Sequence, residues 1–167
     1  VRSFLSTVVL ISVCGGLQAA EPDRKAVVKE AAQAVIDATL KHDPGGVVDA
    51  TYGPLVTMAG GREKLISLVE AAMNLGEFVD YTVGEPGEFQ SVGKLEFAVV
   101  PTTLTMRVND RKIRSKSYLL GVSADEGETW KFVGGSGMRY EAERKMLFPG
   151  FSETLKVPPY EKPMFVD

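Results

Sequence analysis

The spacing of apolar residues changes once along this chain, and that change limits the folds open to it. Between Val28 and Met73 they recur every three or four positions, the period of a helix; from Glu77 onward they alternate, the period of a strand. A first helix is expected from the N-cap position Asp23 to about Lys41. Val28, Ala32, Val35 and Thr39 form its apolar stripe, widened by Ile36 and Leu40. His42-Asp43-Pro44-Gly45-Gly46 is expected to end it, because proline and glycine do not readily continue the helical ladder. Val47 to Thr51 is long enough for one or two further turns, and Leu55 to Met58 is a short apolar run ahead of Gly60-Gly61. A second long helix is predicted from about Arg62 to Leu75, with Leu65, Leu68, Val69, Ala72 and Met73 inward and Gly76 as its stop.

In the alternating half, Val79, Tyr81 and Val83 are expected on one strand face, with Phe78, Asp80 and Thr82 on the other. Lys94 to Val108 reads as a long strand in which Pro101 marks a bulge or an edge. Asn109-Asp110 suits a tight hairpin turn, since both residues tolerate positive φ. Ile113 to Ser123 and Thr129 to Gly135 supply two more strands, and a short helix is expected from Arg139 to Met146. Helices first and an antiparallel meander afterwards point to an α+β domain with its helices on one sheet face.

The stretch SADEGETW, Ser123 to Trp130, matches the hairpin signature Ser-x-Asp-x-Gly-x-Thr-Trp, the Asp-box of sialidases and other β-propellers. A propeller needs at least four blades of roughly 40–50 residues and repeats the motif with the blade. One copy in a chain of 167 residues does not build one. The motif is instead expected to be a hairpin corner. Asp125 accepts backbone N–H groups across the turn, Gly127 takes positive φ, and Trp130 pins the next strand.

Residues 1–20 have the pattern of an export signal: Arg2, the apolar run Phe4 to Val13, then small residues, with cleavage expected near Ala19-Ala20. Export to the periplasm or outside the cell follows, and Cys14 as a lipid-bearing residue is the competing expectation. The chain has one cysteine, in that segment, so the folded part must be held by its core without disulfides. A net charge of −3 gives no basic footprint for nucleic acid. No later stretch has the apolar length of a membrane span. Three regions are expected: the signal at 1–20, one domain at 21–138, and a helix with a proline-bearing tail at 139–167 packed on that domain.

The Asp23–Lys41 helix, the run GGREKL (Gly60 to Leu65) opening another helix, and the long-stranded end YLLGVSADEGETWKFV together resemble the nuclear transport factor 2-like superfamily, which includes ketosteroid isomerase and polyketide cyclases. The resemblance covers about Ala26 to Ser136. It implies a cone: two or three N-terminal helices packed in the concavity of a strongly curved antiparallel sheet, often dimeric, often with a pocket at the wide end. Enzymes of this superfamily commonly place an Asp or His near a short strand between the helices. The matching stretch here, LVTMAGG, has Thr57, Met58 and Ala59, none of which can do acid–base work.

His42 is the only histidine, which excludes a multi-histidine metal site, and its place at a helix end suits a capping role. Asp80 and Tyr81 are adjacent on a strand and point to opposite faces, so they do not converge as an acid–base pair. No cofactor is expected. Arg107, Arg111, Lys112, Arg114 and Lys116 crowd the Asn109-Asp110 hairpin, and Lys112, Arg114, Lys116 and Tyr118 share a strand face. That strip either holds an anionic ligand or stays solvated and keeps an edge from pairing. Tyr52, Tyr81, Tyr118 and Trp130 are the residues expected around a ligand-binding cone mouth, with core packing as the alternative. In the tail, Met146, Leu147, Phe148 and Phe151 are expected to wrap over their own domain, with docking onto a partner as the alternative. The expectation that follows is an exported, non-catalytic domain binding a small apolar or amphipathic molecule or a protein partner. The alternatives are an isomerase- or dehydratase-type enzyme using carboxylate and tyrosine, and a structural homodimerisation module.

Overall fold

The computed structural model describes residues 23–149 and 154–166; the expected signal segment with Cys14 and Ala19-Ala20, and Phe151 in the tail, lie outside them. Asp23 caps α1 (Arg24–Leu40) by accepting the Lys25 N–H at 3.1 Å. Of the expected stripe the helix buries Val28, Ala32, Val35 and Ile36, while Thr39 is half-buried and Leu40 is 41% exposed. Asp43 then caps α2 (Pro44–Asp49), accepting the Gly46 N–H at 2.9 Å. Pro44-Gly45-Gly46 therefore opens a helix where the sequence suggested a break. Proline is tolerated in a first turn because its missing N–H would have no partner there. His42, at φ 53°, makes the reversal between the two helices.

The stretch compared with an inter-helix strand is also helical: α3 (Gly53–Met58), with Pro54 in its first turn. After Gly60 (φ 92°) and Gly61 (φ 101°) comes α4 (Arg62–Met73). Of its five expected inward residues only Met73 is buried, and Leu68 is 53% exposed. The cause is position, because α4 packs chiefly on α2, so only part of its apolar face is covered. Among the described residues four helices thus precede the sheet, two of them a turn and a half long.

The sheet is antiparallel and open. Its frame is one long hairpin, β3 (Leu95–Val108) and β4 (Arg111–Ser123), turned by Asn109 (φ 49°) and Asp110 (φ 61°) as a two-residue loop. Each outer edge of this hairpin is shared end to end by two shorter strands. Beside β3 lie β1 (Glu77–Val83) and β2 (Gln90–Val92); beside β4 lie β5 (Lys131–Gly134) and β6 (Met164–Val166). Pro101 makes no bulge: β3 and β4 pair in unbroken register through Pro101↔Tyr118. Its carbonyl accepts the Gly84 N–H at 2.7 Å, so its backbone faces away from β4 at the end of β1, where no ladder N–H is required.

The bulge is in β1. Phe78 pairs with Met106 and Asp80 with Thr105, so Val79 is the extra residue. Two residues opposite one reverse the alternation, moving Phe78 onto the face of Tyr81 and Val83 and leaving Val79 41% exposed. The expected grouping of Val79 with Tyr81 and Val83 is corrected accordingly.

The helices pack in the concavity of the curved sheet, where α1 meets Ala98, Val100, Leu119, Trp130 and Phe132. Gly121 sits mid-strand because a Cβ there would lie 3.0 Å from the Trp130 ring and 3.2 Å from Phe132. The opposite face carries a second core. A 3₁₀ turn (Gly135–Met138), α5 (Glu141–Leu147) and the tail cover Phe97, Leu120, Val122 and Val133 with Met138, Leu147, Phe148 and Leu155. The Gln90 side chain clamps the tail twice, donating to the Lys156 carbonyl and accepting its N–H, each at 2.8 Å. Met146, in contrast, is 59% exposed.

Candidate functional site

Toward its C-terminal end α1 stands off from the sheet, and a cavity of about 460 Å³ opens there between α1, α2, α4 and the concave face. Val35, Val47, Val69 and Met73 supply the helical wall. The β1 bulge brings Phe78 beside Tyr81 on the sheet wall, opposite their pairing partners Met106 and Leu104. Leu119 and Phe132 form the floor, and Gly134 and Ser136 one rim.

The hydroxyls in this wall are largely satisfied within it. Thr39 donates to the Val35 carbonyl and Thr51 to the Val47 carbonyl, both at 2.9 Å, so these hydroxyls already have backbone partners. The Tyr81 phenol is hydrogen-bonded with Thr102; burial raises its pKa, and that bond opposes the rise in part. Among the described residues no carboxylate, imidazole, ammonium or guanidinium lines the cavity. No three His, Cys, Asp or Glu side chains come together anywhere among them. No described helix is long and apolar enough to cross a membrane.

The four aromatic residues expected around one mouth are divided by the sheet. Tyr81 lines the cavity. Trp130 belongs to the same core but is packed under α1, stacked on Phe89 with centroids 5.8 Å apart, its indole N–H donating to the Gly127 carbonyl at 3.0 Å. Tyr118 neighbours Leu119 on β4 and so faces the opposite side, where burial raises its pKa and the Arg144 charge opposes this. Tyr52 leaves the helix layer at the start of α3, where its N–H bonds the Phe132 carbonyl, and stacks on Phe148 at 5.4 Å. Phe78 was missed as a wall residue, because strict alternation assigns it outward and no residue type in EFVDYTV announces a bulge. Leu104 and Met106 were legible in the alternation of β3, and only the pairing to β1 shows which face they occupy.

Asp80 is exposed and Tyr81 faces inward, so the two do not meet. His42 is exposed, its ring edge-on to Phe78 at 5.5 Å. Within the basic strip, Arg107 pairs with Glu77 and Arg111 lies 3.6 Å over the Phe165 ring. The edge that the strip was expected to keep unpaired is in fact paired by β6 at Lys112 to Arg114.

A second cavity, of about 510 Å³, lies on the tail side of the molecule at Ser115 to Tyr118, the part of β4 that neither β5 nor β6 covers. The 3₁₀ turn and the segment from Leu155 to Pro163 complete it, and Ser136 borders both cavities.

No family model and no curated protein matches this chain.

Proposed function

We propose that this chain binds a small, predominantly apolar molecule in the cavity between α1, α4 and the concave sheet face, as a non-catalytic member of the nuclear transport factor 2-like superfamily. One observation carries the proposal: a cavity of about 460 Å³, within the range of small-molecule sites, is walled by apolar side chains and internally bonded hydroxyls. An apolar guest gains by leaving water there, at roughly 25 cal/mol for each Å² it buries. Acid–base chemistry needs a group that titrates near the working pH, and Tyr81 is the only titratable side chain on the wall among the described residues. Burial moves its pKa upward, further from neutrality.

The test uses Ala72, an exposed residue on the cavity wall, so that a larger side chain obstructs entry without overpacking the core. The neutral fluorophore N-phenyl-1-naphthylamine should bind the full chain saturably, one molecule per chain. Ala72→Phe should weaken binding at least about tenfold while leaving the melting midpoint nearly unchanged. An absence of saturable binding, or equal binding by both proteins, would overturn the proposal.

A further inference from the structure

The tail-side cavity gathers positive charge that the described chain does not neutralise. Lys116, Arg139, Arg144 and Lys156 line it, against Glu161 as the only carboxylate on its wall among the described residues. In a chain with 19 basic and 22 acidic residues, the charges around an arbitrary cavity would nearly balance. None of the four cations forms an ion pair among the described residues, whereas Arg24, Lys25, Lys29, Arg62, Arg107 and Lys145 all do. Glu141 lies close enough to Arg144 to feel its charge, but gives its ion pair to Lys145.

The two guanidinium groups are also held in place. Arg144 donates one N–H to the Met138 carbonyl at 2.9 Å, leaving most of its fork of donors unused. Arg139 stacks 4.2 Å over the Tyr160 ring, which fixes its plane without consuming its N–H groups. Lys116 stands on the stretch of β4 left open between β5 and β6, and the Lys156 backbone is clamped by Gln90. Ser117 and Ser136 add hydroxyl donors on the same wall. Four like charges around one cavity, set against a single described carboxylate, repel one another, and an anion between them relieves that cost.

We propose that this cavity binds a small organic anion with two or more negative groups. The two guanidinium planes take carboxylate or phosphate oxygens in pairs, and the two ammonium groups act as point charges at the rim. The volume of about 510 Å³ accommodates a molecule larger than a single inorganic ion. This site shares only Ser136 with the apolar cavity and does not depend on the function proposed for it.

Calorimetric titration of the full chain at low ionic strength, with citrate as the tricarboxylate probe, tests the proposal. Saturable one-to-one binding is expected, weakened at least about tenfold in the double variant Lys116→Gln, Arg139→Gln. Arg144 is left intact because it also supports the Met138 carbonyl. Arg114→Gln, on the same strand face outside the cavity, should bind citrate within about twofold of the parent. Melting midpoints confirm that both variants fold. A lack of saturable citrate binding would overturn the proposal. So would a loss in Arg114→Gln as large as in the double variant, since the anion would then be responding to diffuse surface charge.

Discussion

Asp125 organises more of its surroundings than any other residue in the β4–β5 corner. It accepts the Thr129 N–H at 2.9 Å and the Ser123 hydroxyl at 2.7 Å, while Ser123, 1% exposed, itself accepts the Gly127 N–H at 2.8 Å. The Thr129 hydroxyl and N–H, followed by the Ser123 hydroxyl, stabilise its carboxylate and lower its pKa from 3.8 to about 2. A carboxylate whose pKa is lower in the folded state stabilises the fold fully above its unfolded pKa, and loses that contribution as pH falls through the folded value. Asp125→Ala should therefore be less stable than the parent near neutral pH, and the gap should close between about pH 4 and pH 2. Denaturant midpoints across that range decide it; a gap independent of pH would show that the carboxylate charge is irrelevant. Gly127, at φ 90°, has the Arg24 guanidinium 2.9 Å from where a Cβ would sit. Gly127→Val should be harmful through backbone strain, even if Arg24 swings away from its ion pair with Glu96. Trp130→Ala should cost more, about 3–5 kcal/mol, because the indole is 5% exposed and fills the space over Gly121. Since the three residues share one corner, their effects should not add in combined variants.

The second core depends on the chain end as an element. Phe148, 1% exposed, is wedged between the Tyr52 ring at 5.4 Å and the Phe97 ring at 5.3 Å. Phe148→Ala should cost about 3–5 kcal/mol by equilibrium unfolding, and a result near zero would mean that the tail is dispensable. Truncation after Ser136 should do worse, lowering the melting midpoint and the solubility together, because it uncovers Phe97, Leu120 and Val133 at once. β1 shows a different dependence. A single extra residue at Val79 decides whether Phe78 faces the cavity or the solvent, and it does so while the β3–β4 register stays unbroken. The helical runs were legible because α1 repeats its apolar stripe over four turns, whereas α2 and α3, six residues each, are too short for a period to establish itself.

At the scale of the whole molecule the sheet has two covered faces and a cavity associated with each, meeting only at Ser136. Their walls otherwise share no residue, so the two sites should act independently. The Lys116→Gln, Arg139→Gln variant should bind the neutral fluorophore within about twofold of the parent, and saturating citrate should not compete with it. Strong coupling in either experiment would show that one elongated ligand occupies both cavities. The α+β order, the Asp23 cap, the Asn109-Asp110 turn and the SADEGETW corner were all determined by sequence alone. Each depends on residues within a few positions of one another, or on a period repeated many times. The division of Tyr52, Tyr81, Tyr118 and Trp130 between two faces was decided by the tertiary structure, as were the place of Phe78 on the cavity wall and the four-cation cavity. Those outcomes depend on strand register and on where residues 139–166 settle. Such contacts join segments tens of residues apart, and no local pattern in the chain encodes them.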